Sequence, residues 1–392
     1  MSRISPFVGL LFDRSVVGSY DLVTTPPYDV ISEAARRHFL DASPYNMIRL
    51  DLGPTDAADA EAEADYRGAA SKLRSWRAGG ALVPTDGPSL YPYEMRFVLH
   101  GRERSIRGLV CAVELEDRGG SIVPHEGTMP GPIEDRLRLM RAVGANLSSI
   151  HALYRGPNDP VAAYLDEQMA AEPVALATDE AGVEHRLWVG MSDPTVASAL
   201  EGESLMIADG HHRYSMAMRY RDEMRSERGA GPWDRVMMFL ADAAIQEPPV
   251  LPFHRVQTAG AVQAAGRRVR DLGEVLEDVN DDKLVYGLVL KEDGVLVHRV
   301  AELAGPPPTV SALHAQRLSA HDVELRFTPD AVDAEEAVRT GEAVAAYILP
   351  PTDASRIRDV IDRGERLPQK STFFWPKPRT GLVLRPLDLD AQ

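Results

Sequence analysis

The residues best suited to chemistry form one short run, Asp209-Gly210-His211-His212-Arg213, near the middle of the chain. An apolar stretch from Ser204 to Ala208 precedes this run and predicts a buried strand, while residues 214–227 favour a helix. An aspartate–glycine pair is typical of a tight turn. We therefore expect two histidines and an arginine at the N-terminus of a helix that leaves a strand through a glycine turn.

The predicted start of this helix is a position that favours an anion. Free backbone N–H groups and the positive end of the helix dipole meet there. The planar guanidinium fork of Arg213 matches phosphate, and histidines in this setting can bind phosphate or transfer a proton. We interpret the turn as a phosphate-binding site. The structural alternative is a simple helix cap with both histidines on the surface.

Three other clusters contain residue types that are found in active sites. His125 and Glu126 lie in a predicted loop, where a functional pocket and plain loop capping are both possible. Asp29 follows a stiff diproline and would serve as a general base, as a magnesium ligand or only as a turn residue. Lys370 would place an ammonium on a phosphate, or lie in an exposed loop.

The elements that must position these clusters alternate between helix and strand. Ser32 is a predicted N-cap for a helix that ends near Leu40, and the apolar residues 47–50 predict a short strand. This mixture predicts an α+β (mixed α/β) fold. The only cysteine, Cys111, lies in an apolar strand pattern and is expected in the core.

The length of 392 residues predicts two or three domains. Residues 251–256 resemble a joint between them. We expect a core domain over residues 1–255 and a smaller C-terminal α/β domain over residues 256–392. The aromatic and proline-rich tail, residues 367–377, is expected to return to the site.

The composition limits the classes of function. A formal net charge of -16 opposes binding to nucleic acid or to anionic membranes. The chain has no run of about 18 consecutive apolar residues, so no membrane span is expected. The first residues lack the apolar run of a signal peptide, and the cytoplasm is the expected location. The P-loop, Rossmann, nucleophile-elbow and HExxH motifs are absent from the sequence.

Six ordered motifs extend over nearly the whole chain. They are TPPYDVI at 25–31, PYN at 44–46, HExT at 125–128, EDRL at 134–137, ADGHHRY at 208–214 and PQKSTFF at 368–374. Together they resemble the bacterial and archaeal family catalogued as domain of unknown function 1015, from about Pro6 to Leu387. Two positions depart from that family. Ile133 replaces a usual lysine, and Ser215-Met216 replace a frequent Glu-Thr, which would alter activity if either position belongs to the site.

The DGHHR turn is also similar to the phosphate-binding turn of the ParB and sulfiredoxin superfamily, which includes a free serine kinase. This similarity covers only the turn and its helix. It implies a ParB/sulfiredoxin-like core elaborated with extra strands and helices, and ATP or ADP with Mg²⁺ as cofactors. It assigns phosphate contacts to Gly210, His211, His212 and Arg213, and it leaves the catalytic base unidentified.

The resulting hypothesis is a nucleotide-dependent kinase for a small hydroxylated metabolite, with free serine as the best candidate. Asp209 would orient a histidine or hold Mg²⁺, Asp29 or Glu126 would accept the hydroxyl proton, and Lys370 would neutralise the transferred group. The predicted catalytic set is Asp29, His125, Glu126, Asp209 and His212. The alternatives are a phosphomonoesterase acting on a compound such as phosphoserine, and a nucleotide-binding regulator. The expected partners are a small-molecule substrate and a nucleotide. DNA is not expected as a partner, because the negative net charge of the chain opposes its binding.

Overall fold

The computed structural model describes residues 4–52, 59–99, 101–117, 119–156, 159–245, 248–319 and 323–389. The chain divides into two compact units. The first unit comprises residues 1–124, 128–248 and 376–392, and the second comprises residues 125–127 and 249–375. Both units contain helices and strands, which confirms the predicted mixed α/β class. The domain boundary at residue 255 and the ParB/sulfiredoxin-like core stay predictions.

The strands are numbered in chain order. They are β1 (Ile4–Ser5), β2 (Leu10–Phe12), β3 (Leu82–Pro84), β4 (Tyr91–Leu99), β5 (Arg102–Glu114), β6 (Ile122–Pro124), β7 (Ala145–Asn146), β8 (Ile150–Tyr154), β9 (Ala175–Thr178), β10 (Glu184–Leu187), β11 (Leu205–Asp209), β12 (Arg235–Asp242), β13 (Val250–Pro252), β14 (His254–Ala259), β15 (Arg267–Val269), β16 (Val285–Glu292), β17 (Val295–Glu302), β18 (Glu324–Thr328), β19 (Ala345–Ile348), β20 (Thr372–Phe374) and β21 (Arg385–Pro386).

The α-helices are numbered in the same way. They are α1 (Arg14–Val17), α2 (Tyr20–Val23), α3 (Glu33–Ala42), α4 (Ile48–Asp51), α5 (Asp59–Ala78), α6 (Pro130–Val143), α7 (Asp159–Gln168), α8 (Pro194–Ala199), α9 (His211–Arg228), α10 (Leu272–Asp278), α11 (Thr309–Leu313), α12 (Ala331–Thr340) and α13 (Ala354–Asp362). Short helical turns of other types cover Tyr28–Val30, Pro232–Asp234 and His314–Leu318. Within the described ranges, none of these helices has the length and apolar character that a bilayer span requires.

A nine-stranded mixed sheet forms the centre of the first unit. Its order is β6-β11-β8-β12-β5-β4-β10-β9, and β1 pairs with β5 outside this path. Strand β11 runs parallel to β6 and antiparallel to β8. Leu205 and Ile207 of β11 pack in one core with Leu240 of β12 and Ala217 of α9. The buried strand that was predicted before the DGHHR turn is therefore observed, and Cys111 lies in the same core as expected.

Two helices near the N-terminus test the local predictions. The Ser32 hydroxyl accepts a hydrogen bond from the Ala35 N–H, so the predicted N-cap of α3 is confirmed. The predicted strand at residues 47–50 is wrong, because Ile48 begins the short helix α4. The side chain of Asn46 accepts from the Ile48 N–H at 2.9 Å and fixes a helical turn. A four-residue segment with three apolar side chains fits one turn of a buried helix as well as a strand.

The second unit is built on a six-stranded antiparallel sheet. Its order is β15-β17-β16-β19-β14-β18, and the ribbon of β13 with β20 stands apart from it. Helix α12 contributes Ala334 and Val338 to the core, where they pack with Val256 of β14 and Ala346 of β19. Small side chains on α12 allow this helix to approach the sheet closely.

Candidate functional site

A buried ammonium joins two carboxylates in the first unit. Lys377 Nζ lies 2.6 Å from Asp209 Oδ1 and 3.3 Å from Asp29 Oδ2. The side chain of Lys377 is only 7% exposed and that of Asp209 11%. Burial by itself would lower the pKa of Lys377, but the two nearby carboxylates raise it above its ordinary value. The lysine is therefore a permanent positive charge at this position.

Asp209 ends strand β11 between two cations. One carboxylate oxygen contacts Lys377, and the other accepts a hydrogen bond from the Arg213 guanidinium. Burial would raise the pKa of Asp209, but Lys377 and Arg213 lower it below its usual value in spite of the negative charge of Asp29. Asp209 is thus a fixed carboxylate directly before the first turn of α9.

The Arg213 guanidinium folds back over this turn. Its NH1 group donates to Ser149 O at 2.5 Å and to Ser148 Oγ at 3.0 Å, while its NH2 group donates to Asp209. Of the five N–H groups that a guanidinium carries, these bonds use two on NH1 and one on NH2. The first role of Arg213 is therefore to fix Asp209 against the turn before β8.

Gly210 is the N-cap of α9 and has a positive φ of 96°. A glycine adopts this backbone conformation without strain, whereas a side chain rarely does. A Cβ atom here would also lie 3.1 Å from the Arg213 guanidinium. Among the residues that the structure describes, no side chain caps the helix at Gly210. The first turn of α9 therefore combines an N-terminus without a side-chain cap, a fixed carboxylate and a buried lysine.

The two histidines of the motif have different surroundings. His211 is buried, whereas His212 is partly exposed. The Met129 N–H donates to His212 Nε2 at 3.1 Å, so this nitrogen is unprotonated and the ring is the Nδ1–H tautomer. His212 thus holds the residue that caps α6.

His151 is a functional candidate that the sequence reasoning missed. It lies in β8 in register with Asp209 of β11, and its side chain is fully buried. Neither ring nitrogen has a hydrogen-bond partner within the described part of the chain. Burial lowers its pKa to about 4, although the charge of Asp209 acts in the opposite direction. A neutral imidazole therefore lies beside the charged cluster.

The EDRL motif supplies a second buried ion pair in the same unit. Arg136 donates to Asp51 Oδ1 at 2.9 Å and to Asp135 Oδ2 at 2.7 Å, and it lies 4.2 Å from the centroid of the Tyr28 ring. A cavity of about 40 Å³ is lined by Asp51, Arg136 and Arg213 among others. This volume holds a few water molecules, at about 10–15 Å³ each.

The two departures from the family pattern have a packing explanation. Met216 of α9 lies in an apolar cluster with Leu137 and Met140 of α6, and Ile133 packs against the same cluster. An apolar residue at each position therefore extends the contact between α6 and α9.

The segment after the second unit brings Lys377 to the site. Thr380 and Thr25 form an antiparallel bridge, with N–H to carbonyl distances of 3.1 Å and 2.8 Å. Arg379 donates two hydrogen bonds to Glu180, at 2.7 Å and 2.8 Å. These contacts hold the backbone just before Asp29 and just after Lys377. The sequence signal that could have identified Lys377 is its position between Pro376 and Pro378, which gives a stiff extended segment.

His125, Glu126 and Lys370 meet in the second unit. Glu126 accepts from the N–H groups of Lys370, Ser371 and Thr372 at 3.1 Å, 3.0 Å and 2.9 Å, and from Thr372 Oγ1 at 2.7 Å. His125 Nε2 lies 2.8 Å from the same hydroxyl. The carboxylate of Glu126 therefore holds a turn of the backbone, and the Lys370 ammonium lies 5.3 Å from the Phe253 ring centroid.

Arg255 anchors the other side of this turn. Its side chain is fully buried and donates to the carbonyl groups of Lys370 and Phe253 at 2.7 Å each. Its Nε donates to His314 Nε2 at 3.0 Å. Burial lowers the pKa of Arg255 to about 9, against the effect of the Glu126 charge. The predicted second-unit residues thus form a rigid, hydrogen-bonded loop.

The predicted site residues therefore divide into two groups. Asp29 joins residues 209–213 in the first unit, whereas His125, Glu126 and Lys370 join one another in the second. Over the described residues, no cluster of three or more His, Cys, Asp or Glu side chains could hold a metal ion.

The fold and site define a mixed α/β protein with a buried lysine–carboxylate cluster at the N-terminus of a helix. The family model described as protein of unknown function (DUF1015) matches residues 4–317, most of the chain. The chain belongs to this family. No curated protein shows significant sequence similarity to it.

Several solved structures are distantly similar. A free serine kinase in complex with AMP is 14% identical, with a TM-score of 0.38 and coverage of 69% of this chain and 90% of that chain. A conserved hypothetical protein from Pyrococcus furiosus has the same identity and TM-score, with 69% and 94% coverage. C-terminally truncated SbnI from Staphylococcus aureus is 12% identical, with a TM-score of 0.38 and coverage of 72% and 89%. At this level of similarity, the roles of residues in those proteins are not assigned to residues of this chain.

Proposed function

We propose that this protein is a kinase that transfers a phosphoryl group from a nucleotide to the hydroxyl of a small metabolite, with free serine as the best candidate. The observation that carries the proposal is the charged Lys377, held between Asp209 and Asp29 directly before the first turn of α9. Phosphoryl transfer requires positioning and charge neutralisation more than covalent chemistry. A fixed cation beside a helix N-terminus supplies positioning and part of the charge neutralisation.

The donor phosphates would bind at the first turn of α9. Backbone N–H groups of residues 211–213 would face the anion, and Gly210 lets a phosphate approach the backbone. Lys377 would neutralise the transferred group, the role that sequence reasoning gave to Lys370. Arg213 would keep Asp209 in place and offer its remaining N–H groups to the phosphate.

Asp29 is the better supported of the two candidate bases. Its side chain is 23% exposed and lies on a short helical turn after the diproline, so a substrate hydroxyl can reach it. Glu126 accepts three hydrogen bonds on Oε1 and one on Oε2 from its own unit, and these bonds hold the carboxylate against the backbone. His125 and Lys370 belong to the same loop as Glu126, so their part in catalysis stays a separate prediction.

The donor set also fits magnesium. Mg²⁺ prefers hard oxygen ligands and is often bound by one or two carboxylates together with substrate phosphates. Asp209 lies directly before the first turn of α9 and would hold the metal together with the donor phosphates, once the Lys377 ammonium has turned from Oδ1 towards them. When bound, it would neutralise charge on the phosphoryl group.

The test is phosphorus NMR on the full chain with ATP or ADP, Mg²⁺ and a panel of hydroxylated amino acids. Phosphorylation of one acceptor with loss of the donor phosphoryl group is the expected result. Asp29→Asn should lower turnover by about 100-fold or more and leave nucleotide affinity in place. Glu126→Gln is the matched control and should retain most of the rate.

Two other results would reject the proposal, and a third would reject Asp29 as the base. Phosphate release from phosphoserine without a nucleotide would identify a phosphomonoesterase, in which water replaces the acceptor hydroxyl. Nucleotide binding without turnover of any acceptor would indicate a regulator. Full turnover by Asp29→Asn would place the base elsewhere.

A further inference from the structure

A second pocket lies in the first unit, between α3, α4 and α5. Its volume is about 260 Å³, and it shares no lining residue with the Lys377 cluster. Its floor is apolar, with Leu40, Ile48 and Leu139 among its side chains. Ligand pockets for drug-sized molecules measure about 300–1,000 Å³, so the occupant of this pocket is small.

The polar residues of this pocket are mostly cationic. Arg36, Arg49 and Lys72 line it, and none of its described lining residues is acidic. This balance is opposite to that of the chain, which has 59 acidic and 43 basic residues. Three cations around an apolar floor create a local potential that attracts an anion.

One of these cations is held in place by the fold, and a second has a buried donor that the described residues do not satisfy. Arg49 donates through NH2 to Leu40 O at 2.5 Å and through Nε to Ser43 O at 3.2 Å, so it is fixed at the C-terminal end of α3. Arg36 has a buried Nε with no hydrogen-bond partner in the described chain. Its NH1 group lies 3.7 Å from Glu33, whose side chain is 60% exposed. Arg36 thus has a donor that an anion in the pocket would satisfy.

We propose that this pocket binds a small organic anion, with a carboxylate or phosphate head at the three cations and a short aliphatic body on the apolar floor. The charged head would form charge-assisted hydrogen bonds with the guanidinium and ammonium groups. The aliphatic body would remove the Leu40 and Ile48 side chains from water. A nucleotide is excluded by the small volume, so this site is distinct from the proposed phosphate site.

The test is isothermal titration of the full chain with hexanoate, hexyl phosphate and the neutral hexanol. Hexanoate or hexyl phosphate should bind, and hexanol should bind about tenfold more weakly or not at all, because it lacks the charged head. Arg36→Gln and Lys72→Gln should each weaken binding of the anion by about tenfold. Both residues are outside the core, and circular dichroism would check that the variants fold.

Arg37→Gln is the matched control, since Arg37 is exposed on the same helix and does not line the pocket. Unchanged binding by Arg37→Gln and by Lys377→Gln would support a separate site, whatever the outcome of the kinase assay. Equal binding of hexanol, an equal loss in Arg37→Gln, or no binding of either anion at millimolar concentration would overturn the proposal.

Discussion

Replacing Lys377 with methionine removes the cation of the buried cluster and keeps the length of the side chain. Asp209 Oδ1 then loses its 2.6 Å partner, and the ammonium no longer lies between it and the like charge of Asp29. Removing one partner of a buried ion pair costs about 3–5 kcal/mol. Because Arg213 still binds Oδ2, we expect the lower end, about 3 kcal/mol.

The loss of stability in Lys377→Met should depend on pH in one direction only. In the wild type, Lys377 and Arg213 hold the pKa of Asp209 below its ordinary value of 3.8, so the stability that the carboxylate contributes is present above that pH and lost below it. In Lys377→Met the pKa of Asp209 should rise, because burial is no longer fully opposed. The unfolding free energies of variant and wild type should therefore converge as the pH falls from about 7 towards about 4.

Urea unfolding followed by tryptophan fluorescence measures this effect. Trp76, Trp188 and Trp233 belong to the first unit and only Trp375 to the second, so the signal reports mainly on the unit that contains the cluster. Lys72→Met, at an exposed lysine, is the matched control and should change stability by less than about 0.5 kcal/mol.

A second substitution separates the ion pair from the loss of packing. Asp209→Asn added to Lys377→Met removes a buried carboxylate that has lost one of its two cations, and we expect it to restore about 1 kcal/mol or more of the lost stability. A cost below about 1 kcal/mol for Lys377→Met, no recovery in the double variant, or a deficit that is the same at both pH values would refute the reasoning.

Three further changes test other parts of the structure. Gly210→Ala should destabilise the first unit by about 1–3 kcal/mol in urea unfolding, because φ is 96° and a Cβ would lie 3.1 Å from the Arg213 guanidinium. His151→Leu should reduce the loss of stability between pH 6.5 and about pH 4, since burial lowers the pKa of the imidazole from 6.5 to about 4 and only the unfolded chain takes up the proton there. An unchanged acid transition would contradict this. Glu126→Gln should speed hydrogen exchange at the amides of residues 370–372, because an amide nitrogen replaces one acceptor oxygen, and unaltered protection there would count against the assigned role.

The strand, turn and helix around Asp209 could be predicted because their signals are local. The apolar run, the aspartate–glycine pair and the helix that begins at His211 lie within about one helix length of one another, and each has a direct physical meaning. The short segment at residues 47–50, apolar except for Arg49, was not assigned correctly, since its helical turn depends on a hydrogen bond from the Ile48 N–H to the Asn46 side chain. Short segments depend on individual hydrogen bonds that composition does not reveal.

From the sequence, residues of distant segments could be proposed to meet in one site, but the individual contacts between them could not be identified. Asp29 lies beside the turn through Lys377, which contacts both Asp29 and Asp209, whereas the sequence analysis proposed Lys370 as the cation and gave no role to Lys377. Lys370 and Lys377 are seven residues apart, and the change from the second unit to the first falls between them, at residue 375. His151 gave no signal at all, since its importance follows from its register with a strand 54 residues further on.

The charges in the first-unit cluster set a condition on any phosphate that binds there. Asp29 and Asp209 balance Lys377 and Arg213, so the four side chains together are close to neutral. Because Arg213 remains on Asp209 Oδ2, Lys377 can turn towards a ligand without leaving Asp209 wholly unpaired. A neutral cluster and one helix N-terminus, equivalent to about half a positive charge, are too little to balance a nucleotide polyphosphate. Nucleotide affinity should therefore increase strongly with magnesium, and equal affinity with and without the ion would show that other cations of the protein complete the phosphate site.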